Sequence, residues 1–189
     1  MDEIVAAAMR KWPNVPDVYD WLALDKRGNW LLRGERIANV ALNAFINRNY
    51  MHDKRGCWYF QNGPQRVFAD LHATPFVFSL ERRNGNLMAT AQTGATARKI
   101  DAVLLDETGE LILATDLGPG LVHDRDLAIA LDAAHEESGQ VASEAAFNDL
   151  RKGRGRIEID TGSAKLPLQT IAFSELPSLF HFEPRPAPS

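Results

Sequence analysis

The fold of the first half of this chain is decided by one aromatic and amide-rich stretch, Gly56-Cys57-Trp58-Tyr59-Phe60-Gln61-Asn62-Gly63-Pro64-Gln65-Arg66. Trp58, Tyr59 and Phe60 favour a strand, because aromatic side chains pack well on a pleated, half-buried surface. Asn62-Gly63 is a turn signal, since both residues tolerate positive φ. A returning strand follows at Arg66–Leu71. The stretch therefore predicts a β-hairpin.

Four polar side chains stand at the predicted tip of this hairpin: Gln61, Asn62, Gln65 and Arg66. Amides and a guanidinium beside aromatic faces suit a planar polar or anionic ligand. Binding residues are also common on loops that rigid elements hold in place. In the alternative interpretation, the amides satisfy backbone groups of an awkward turn and Arg66 is solvated. The sequence leaves both interpretations open.

Composition limits the class of protein. The 189 residues fit one domain or two small ones, and 45% hydrophobic residues are enough for a core. A net charge of −4 argues against a protein dedicated to duplex nucleic acid, which needs a basic surface. The single Cys57 excludes an internal disulfide and a cysteine-built zinc site, which fits a reducing compartment. Met1–Met9 is too short and too acidic for export, and no run reaches the roughly 18 apolar residues of a membrane span. We expect a cytoplasmic protein without membrane contact.

The N-terminal region is predicted as a helix, an arm and a hairpin. The helix covers Glu3–Lys11 and ends at Pro13. A proline-pinned arm, Trp12–Asp20, follows, and its apolar side chains are expected to plug it onto the domain: Trp12, Val15 and Tyr19. Trp21–Leu24 and Trp30–Leu32 form the hairpin.

A second helix and a second hairpin are predicted further along. The helix covers Arg36–Tyr50 with Asn39 as its cap, and three- and four-residue steps give its stripe: Ile37, Val40, Ala41, Ala44, Phe45 and Arg48. Strands Phe76–Glu81 and Leu87–Ala91 flank a turn at 84–86. The polar stretch 82–96 is the expected place to divide the chain.

The second half resembles a copy of the first. Residues 105–113 match 24–32 position by position, 155–160 match 56–61, and 177–180 match 75–78, with a helix at 126–134 between them. The pattern predicts an α+β fold of two hairpin–helix–hairpin units with antiparallel sheets. The predicted boundaries are an N-terminal helix and proline-pinned arm at 1–20, a first unit at 21–95, a second unit at 96–183 and a disordered tail at 184–189. A helical insertion, Glu144–Lys152, belongs to the second unit.

Catalytic and metal-binding motifs are weak in this sequence. The five histidines show no helical ligand spacing, and no nucleophile elbow occurs. His123-Asp124 with His135-Glu136 is the only metal pair to weigh, and no spacing rule supports it. The Gly-rich segment 117–121 predicts a tight loop, and the basic run 151–156 predicts a solvated loop, with phosphate contact as the alternative. No cofactor or metal is predicted, and a non-enzymatic protein is favoured over an enzyme.

Five segments together resemble a family of uncharacterised bacterial proteins of unknown function: Lys11–Pro16, Gly28–Trp30, Asn47–Tyr50, Gly56–Val67 and Gly120–His123. That family is similar to a second unannotated family with a duplicated α+β core. The C-terminal half of this second family is similar to pleckstrin-homology folds. The resemblance implies a nucleotide-like ligand at a domain interface and a signalling role.

The favoured function is a binding or signalling module for a small polar or nucleotide-like ligand. Seven residues form the candidate site: Arg48, Tyr50, Trp58, Asn62, Gln65, Arg66 and His123. The two arginines would contact anionic groups of the ligand, and the aromatic rings would stack on it. The amides would form hydrogen bonds with its polar edges. The alternative function is a structural or dimerising protein without a small ligand. Four tryptophans, nine phenylalanines and the proline-pinned arm favour that alternative.

Overall fold

The computed structural model describes residues 2–12 and 15–188, and these residues form two compact units. The first unit contains the described chain up to Pro75, the short segment Gln92–Gly94 and the chain from Pro177 onward. The second unit contains Phe76–Ala91 and Ala95–Leu176. The observed division thus falls before Phe76, whereas the sequence placed it within 82–96. The reason is strand pairing, because Phe76–Ala91 forms a hairpin on the sheet of the second unit.

The first unit is a six-stranded sheet with helices. Its elements are α1 Glu3–Lys11, β1 Val18–Leu24, β2 Trp30–Leu32, β3 Glu35–Arg36, α2 Val40–Arg48, β4 Tyr50–His52, β5 Trp58–Asn62 and β6 Gln65–Leu71. The strand order is β3-β2-β1-β6-β5-β4. The aromatic hairpin is confirmed, since β5 and β6 pair antiparallel from Tyr59 opposite Phe68 to Asn62 opposite Gln65. Trp58 and Phe60 are buried while Tyr59 is half-buried, as alternation along a strand requires.

Helix α2 begins later than predicted. Asn39 caps it as expected, because its side-chain Oδ1 accepts a hydrogen bond from Leu42 N at 3.0 Å. The predicted stripe is wrong at Val40, which is 80% exposed, and the buried residue of the helix is Ile46. The second half of α2 faces the core, where the Phe45 ring meets Phe60 edge-on at 6.0 Å. The first turn therefore leaves Val40 in solvent.

The N-terminal arm is attached differently from the prediction. Tyr19 stacks on Phe68 with ring centroids 4.7 Å apart, as part of β1. Trp12 does not attach the arm to the domain by burying its ring, because about half of its surface is exposed. The predicted helix end at Pro13 lies outside the described residues.

The C-terminal segment was expected to be a disordered tail from 184 onward. In the structure, Leu71 N donates to Pro184 O at 2.8 Å, and Glu183 N donates to Gly56 O at 3.0 Å. Pro186 is buried. These bonds satisfy backbone groups along the aromatic hairpin and hold residues 183–186 in place.

The second unit is an eight-stranded sheet with two helices. Its elements are β7 Phe76–Arg83, β8 Asn86–Ala91, β9 Ile100–Leu105, β10 Leu111–Thr115, β11 Gly118–Val122, α3 Leu127–Asp132, β12 Ala134–Glu136, α4 Glu144–Arg151, β13 Ile157–Asp160 and β14 Lys165–Thr170. The strand order is β12-β13-β14-β9-β10-β11-β7-β8. Helix α4 covers the segment Glu144–Lys152 that was predicted to be helical, except its last residue. The chain then continues into α5 Leu176–Phe180.

The Gly-rich segment predicted as a tight loop is strand β11. It pairs antiparallel with β10 and parallel with β7. Gly120 makes this possible, since a Cβ at this position would lie 2.3 Å from Phe78 Cε2. The absence of a side chain lets the Phe78 ring pack directly on the strand.

The sheets are mixed, which corrects the prediction of antiparallel sheets. Parallel pairs join β1 with β6, β9 with β14 and β7 with β11. A parallel pair needs a long crossover, and the chain between β1 and β6 contains α2, while the chain between β9 and β14 contains α3 and α4. One proposed repeat match also fails, because residues 177–180 are helical whereas 76–78 lie in β7.

Candidate functional site

Two residues of the predicted hairpin rim hold the chain that precedes β1. Arg66 Nε donates to Asp17 Oδ1 at 2.8 Å, and its Nη2 donates to Asp17 Oδ2. Gln65 Nε2 donates to Pro16 O at 3.0 Å. The Asp17 carboxylate raises the pKa of Arg66 through these hydrogen bonds. The anion beside Arg66 is therefore supplied by the protein itself.

Two of the three amides of the rim, Gln61 and Asn62, differ in exposure. Gln61 is 1% exposed, and its Nε2 donates to Gly63 O at 3.0 Å, across the turn. Asn62 is exposed at the end of β5. Gln61 thus satisfies a backbone carbonyl, which is the role described in the alternative interpretation.

Arg48 and Tyr50 also have partners within the first unit. Arg48 Nη2 lies 3.2 Å from Asp2 Oδ2, and this hydrogen-bonded pair lowers the pKa of Asp2. The Tyr50 ring lies 4.9 Å from that of Trp58, and its hydroxyl donates to Pro75 O at 3.1 Å. Burial raises the pKa of Tyr50 well above its ordinary value. Trp58 is buried and Tyr50 is half-buried, so both rings are packed within the first unit.

His123 belongs to the second unit, whereas the other six predicted site residues belong to the first. Its Nδ1 lies 2.8 Å from Asp124 Oδ1 and accepts a hydrogen bond from Arg125 N at 3.3 Å. It follows β11 and caps the short 3₁₀ turn before α3. Within residues 2–12 and 15–188, no group of three His, Cys, Asp or Glu side chains is placed to hold a metal ion.

An apolar groove in the second unit is lined by residues that the sequence analysis did not select. This α3–α4 groove has a volume of about 390 Å³. The large apolar side chains in its lining are Leu105, Leu111, Leu127, Leu131, Val141 and Phe147. Leu131 is 44% exposed and Val141 is 57% exposed. The groove therefore presents apolar surface to solvent, as ligand pockets do.

Helix spacing explains how α4 contributes to this groove. Glu144, Phe147 and Arg151 lie at steps of three and four residues, so they share one face of the helix. Ser143 fixes the start of α4, because its Oγ accepts from Ala146 N at 3.2 Å and donates to Glu136 Oε1 at 2.8 Å. No residue of α4 is buried. The face of α4 is thus held in position without being covered.

Among the described residues that line the groove, Arg151 is the one with a cationic side chain. Among the residues described here, it has no hydrogen-bond or ion-pair partner, whereas Arg154 Nη2 lies 2.7 Å from Asp149 Oδ1. Its guanidinium lies over Gly109, where an added Cβ would be 2.8 Å from Nη2. Gly109 has a φ of +94°, in the turn between β9 and β10. The turn glycine thus makes room for the guanidinium.

A second depression of about 340 Å³ also has Arg151 in its lining, together with Asp106, Glu107 and Glu175. Asp106 Oδ1 accepts from Thr108 N at 2.9 Å and from Glu110 N at 2.8 Å, which shapes the turn. Asp106 Oδ2 is buried and has no partner within the described part of the chain. Arg151 is therefore shared by the groove and this depression.

The sequence carried a partial signal for the groove. Leu127 and Leu131 lie four residues apart within the predicted helix 126–134, and Arg151 begins the basic run 151–156. The basic run by itself predicts a solvated loop. The four-residue step from Phe147 to Arg151 was the available clue, since it places an aromatic ring and a cation on one helix face.

The fold and the groove define a two-unit α+β protein with a candidate small-molecule site in its second unit. The family model DUF2944, described as "Protein of unknown function (DUF2946)", matches residues 1–187. The chain belongs to this family. The expectation of an uncharacterised protein family is thereby confirmed.

Two solved structures are similar to this chain. A DUF1285 family protein from Silicibacter pomeroyi DSS-3 has a TM-score of 0.56 at 15% identity and covers 90% of this chain and 97% of its own. A DUF1285 family protein from Shewanella baltica OS155 has a TM-score of 0.44 at 12% identity, covering 56% of this chain and 86% of its own. The first of these shows a shared fold.

No curated protein matches this chain. Across the described helices, none has the length and apolar character that crossing a membrane requires.

Proposed function

We propose that this protein is a small-ligand-binding module whose second unit takes an amphipathic monoanion in the α3–α4 groove. The observation that carries the proposal is Arg151, whose guanidinium has no hydrogen-bond or ion-pair partner in the described part of the chain and lies beside an exposed apolar lining. A guanidinium forms strong, geometrically specific hydrogen bonds with a carboxylate.

The size and polarity of the groove define the ligand class. Its volume of about 390 Å³ lies in the range of roughly 300–1,000 Å³ that small-molecule pockets occupy. Glu144 and Arg151 stand at opposite ends of α4, about 10 Å apart along the helix axis at 1.5 Å per residue. An acidic head group binds at Arg151, and an apolar body lies over Phe147 and Leu131. Asp132 and Glu144 also line the groove and disfavour a second negative charge.

A polar or nucleotide-like ligand at the hairpin rim has weaker support. Arg66 is paired with Asp17 and Arg48 with Asp2, so an anion there must displace a carboxylate of the chain. The groove requires no such displacement. The alternative, a structural or dimerising role, makes two different predictions. A small anion would not bind saturably, and the mass measured by sedimentation would increase with protein concentration.

Calorimetric titration with octanoate and decanoate tests the proposal, with octan-1-ol and octylamine as matched neutral and cationic chains. Octanoate and decanoate are expected to bind saturably and more tightly than either control. Arg151→Gln is expected to weaken their binding about tenfold or more, because a hydrogen bond to a charged group contributes about 1.5–3 kcal/mol. Arg156→Gln removes a cation from the same basic run outside the groove and is expected to leave binding unchanged. Equal binding by wild type and Arg151→Gln would refute this assignment.

We also propose that the two units are copies of one ancestral unit. The order β3-β2-β1-β6-β5-β4 of the first corresponds to β11-β10-β9-β14-β13-β12 of the second, and the central pair is parallel in both. The turns agree in detail, since Asp25 Oδ1 accepts from the backbone N of Arg27 and Asn29 as Asp106 Oδ1 does from Thr108 and Glu110. Superposing one unit on the other in an experimental structure tests this relationship. A pleckstrin-homology-like second unit and a cytoplasmic signalling role stay predictions, which the same superposition and cell fractionation address.

A further inference from the structure

The first unit contains a polar pocket that is separate from both the hairpin rim and the groove. It has a volume of about 210 Å³. Six side chains in its lining carry the argument: Asn29, Trp30, Arg36, Asn43, Asn47 and Gln92. We refer to it as the amide pocket.

Most amide groups of the pocket are held by protein partners. Asn47 Oδ1 accepts from Trp30 Nε1 at 2.7 Å, and its Nδ2 donates to Gln92 O at 3.0 Å. Asn29 Nδ2 donates to Asp25 Oδ2 at 2.9 Å. These bonds fix the walls of the pocket before any ligand arrives, which reduces the entropic cost of binding.

Two groups in the lining that have no partner within the described structure carry the argument further. Asn43 Nδ2 donates to Ile37 O at 3.0 Å, which fixes the orientation of the amide, and its Oδ1 is buried without a partner in the described structure. The Arg36 side chain is exposed, and its guanidinium has no hydrogen-bond or ion-pair partner among the described residues. A buried acceptor without a donor is costly, and an unpaired guanidinium favours a carboxylate.

We propose that the amide pocket is a binding site for a small carboxylate that carries an adjacent N–H or O–H donor. The carboxylate binds Arg36, and the donor binds Asn43 Oδ1. A pocket of this volume is below the roughly 300 Å³ of drug-sized sites, so the ligand is a fragment-sized metabolite rather than a whole nucleotide. This site is independent of the groove, because the two cavities lie in different units and share no residue.

Pyrrole-2-carboxylate is a suitable probe, since its ring N–H stands beside the carboxylate. Furan-2-carboxylate has the same shape and charge and lacks the donor. Titration of ¹⁵N-labelled full-length protein at millimolar probe concentration is expected to shift the Trp30 indole and the Asn43 and Asn47 side-chain amide signals saturably. Furan-2-carboxylate is expected to bind about tenfold more weakly, because it leaves the Asn43 acceptor unpaired.

Two charge-removing variants complete the test. Arg36→Gln changes an exposed side chain and is expected to abolish the pyrrole-2-carboxylate shifts, with the amide signals otherwise unchanged. Arg10→Gln removes an exposed cation on α1 and is expected to bind the probe like wild type. Three outcomes overturn the site: no saturable shift in wild type, equal binding of the two probes, or equal binding by wild type and Arg36→Gln. A crystal grown with the probe that shows only ordered water in the pocket also overturns it.

Discussion

Two nitrogens of the Arg66 guanidinium, on β6, donate hydrogen bonds to the carboxylate of Asp17, which lies 49 positions earlier in the sequence. The pair attaches the segment before β1 to the aromatic hairpin. Arg66, which the sequence analysis proposes as a ligand contact, therefore holds the segment before β1 in place.

The Arg66–Asp17 pair is expected to stabilise the attachment of the N-terminal segment modestly. The Arg66 side chain is 38% exposed, so solvent screening limits the loss in Arg66→Gln to about 1 kcal/mol of unfolding free energy. Limited proteolysis is expected to cut before Val18 faster in this variant. Arg98→Gln, which removes the exposed pair with Asp116, is the control and should not change cleavage there. A double-mutant cycle with Asp17→Asn that gives no coupling would contradict the prediction.

Gly109→Ala is expected to affect the α3–α4 groove as well as stability. The alanine Cβ would lie 2.8 Å from Arg151 Nη2, so the guanidinium must move away. Octanoate affinity should then fall, as measured by calorimetry. Gly139→Ala is the matched control, because Gly139 has a φ of +81° and no atom near the added Cβ. Both substitutions place alanine at a positive φ, so each is expected to lower the free energy of unfolding, measured with denaturant, by about 1 kcal/mol. Equal octanoate affinity in both would show that Gly109 does not position Arg151.

Gly120→Ala is expected to destabilise the second unit by about 1–3 kcal/mol, because the new methyl group overlaps the Phe78 ring. Urea unfolding measures the loss. The same substitution in a Phe78→Ala background should cost clearly less, since the ring that it overlaps has been removed. An equal cost in both backgrounds would mean that the Gly120–Phe78 contact does not explain the glycine.

Acid is expected to loosen the attachment of α1. The hydrogen bond from Arg48 lowers the pKa of Asp2 below its ordinary 3.8, so the folded state favours the charged carboxylate. The stabilisation by this pair is complete above pH 3.8 and is lost as the pH falls through the lowered pKa. NMR signals of Glu3–Lys11 should report the change on acid titration. Asp2→Asn removes the titrating group, and its α1 signals should not show this step; a step of the same size in that variant would assign it to another group.

Local structure was predictable wherever neighbouring residues decide it. Asn39 caps α2, and the hairpins around 25–29, 62–65 and 84–86 form where the turn residues indicate. The strand at 118–122 was missed because the Gly-Pro-Gly sequence is typical of loops. Only the Phe78 ring on the neighbouring strand shows why glycine is needed there.

The candidate site was less predictable than the fold. Residue type identified Arg48 and Arg66 as groups that bind anions, and both do bind carboxylates, those of Asp2 and Asp17. Sequence cannot tell whether an arginine has an internal partner, because that partner is distant along the chain. Arg151 and Arg36 look no different in sequence, yet within the described structure the guanidinium of each lacks such a partner.

The amino-acid sequence by itself determined the aromatic hairpin, the helix start at Asn39 and the aspartate–glycine turns, since each depends on residues a few positions apart. The tertiary structure alone decided the parallel pairing of β1 with β6 and of β9 with β14. It also decided the ion pair of Arg66 with Asp17 and the position of the Arg151 guanidinium over Gly109. These features join segments separated by about forty residues or more. Their formation depends on how whole sheets close and pack, which no local propensity encodes.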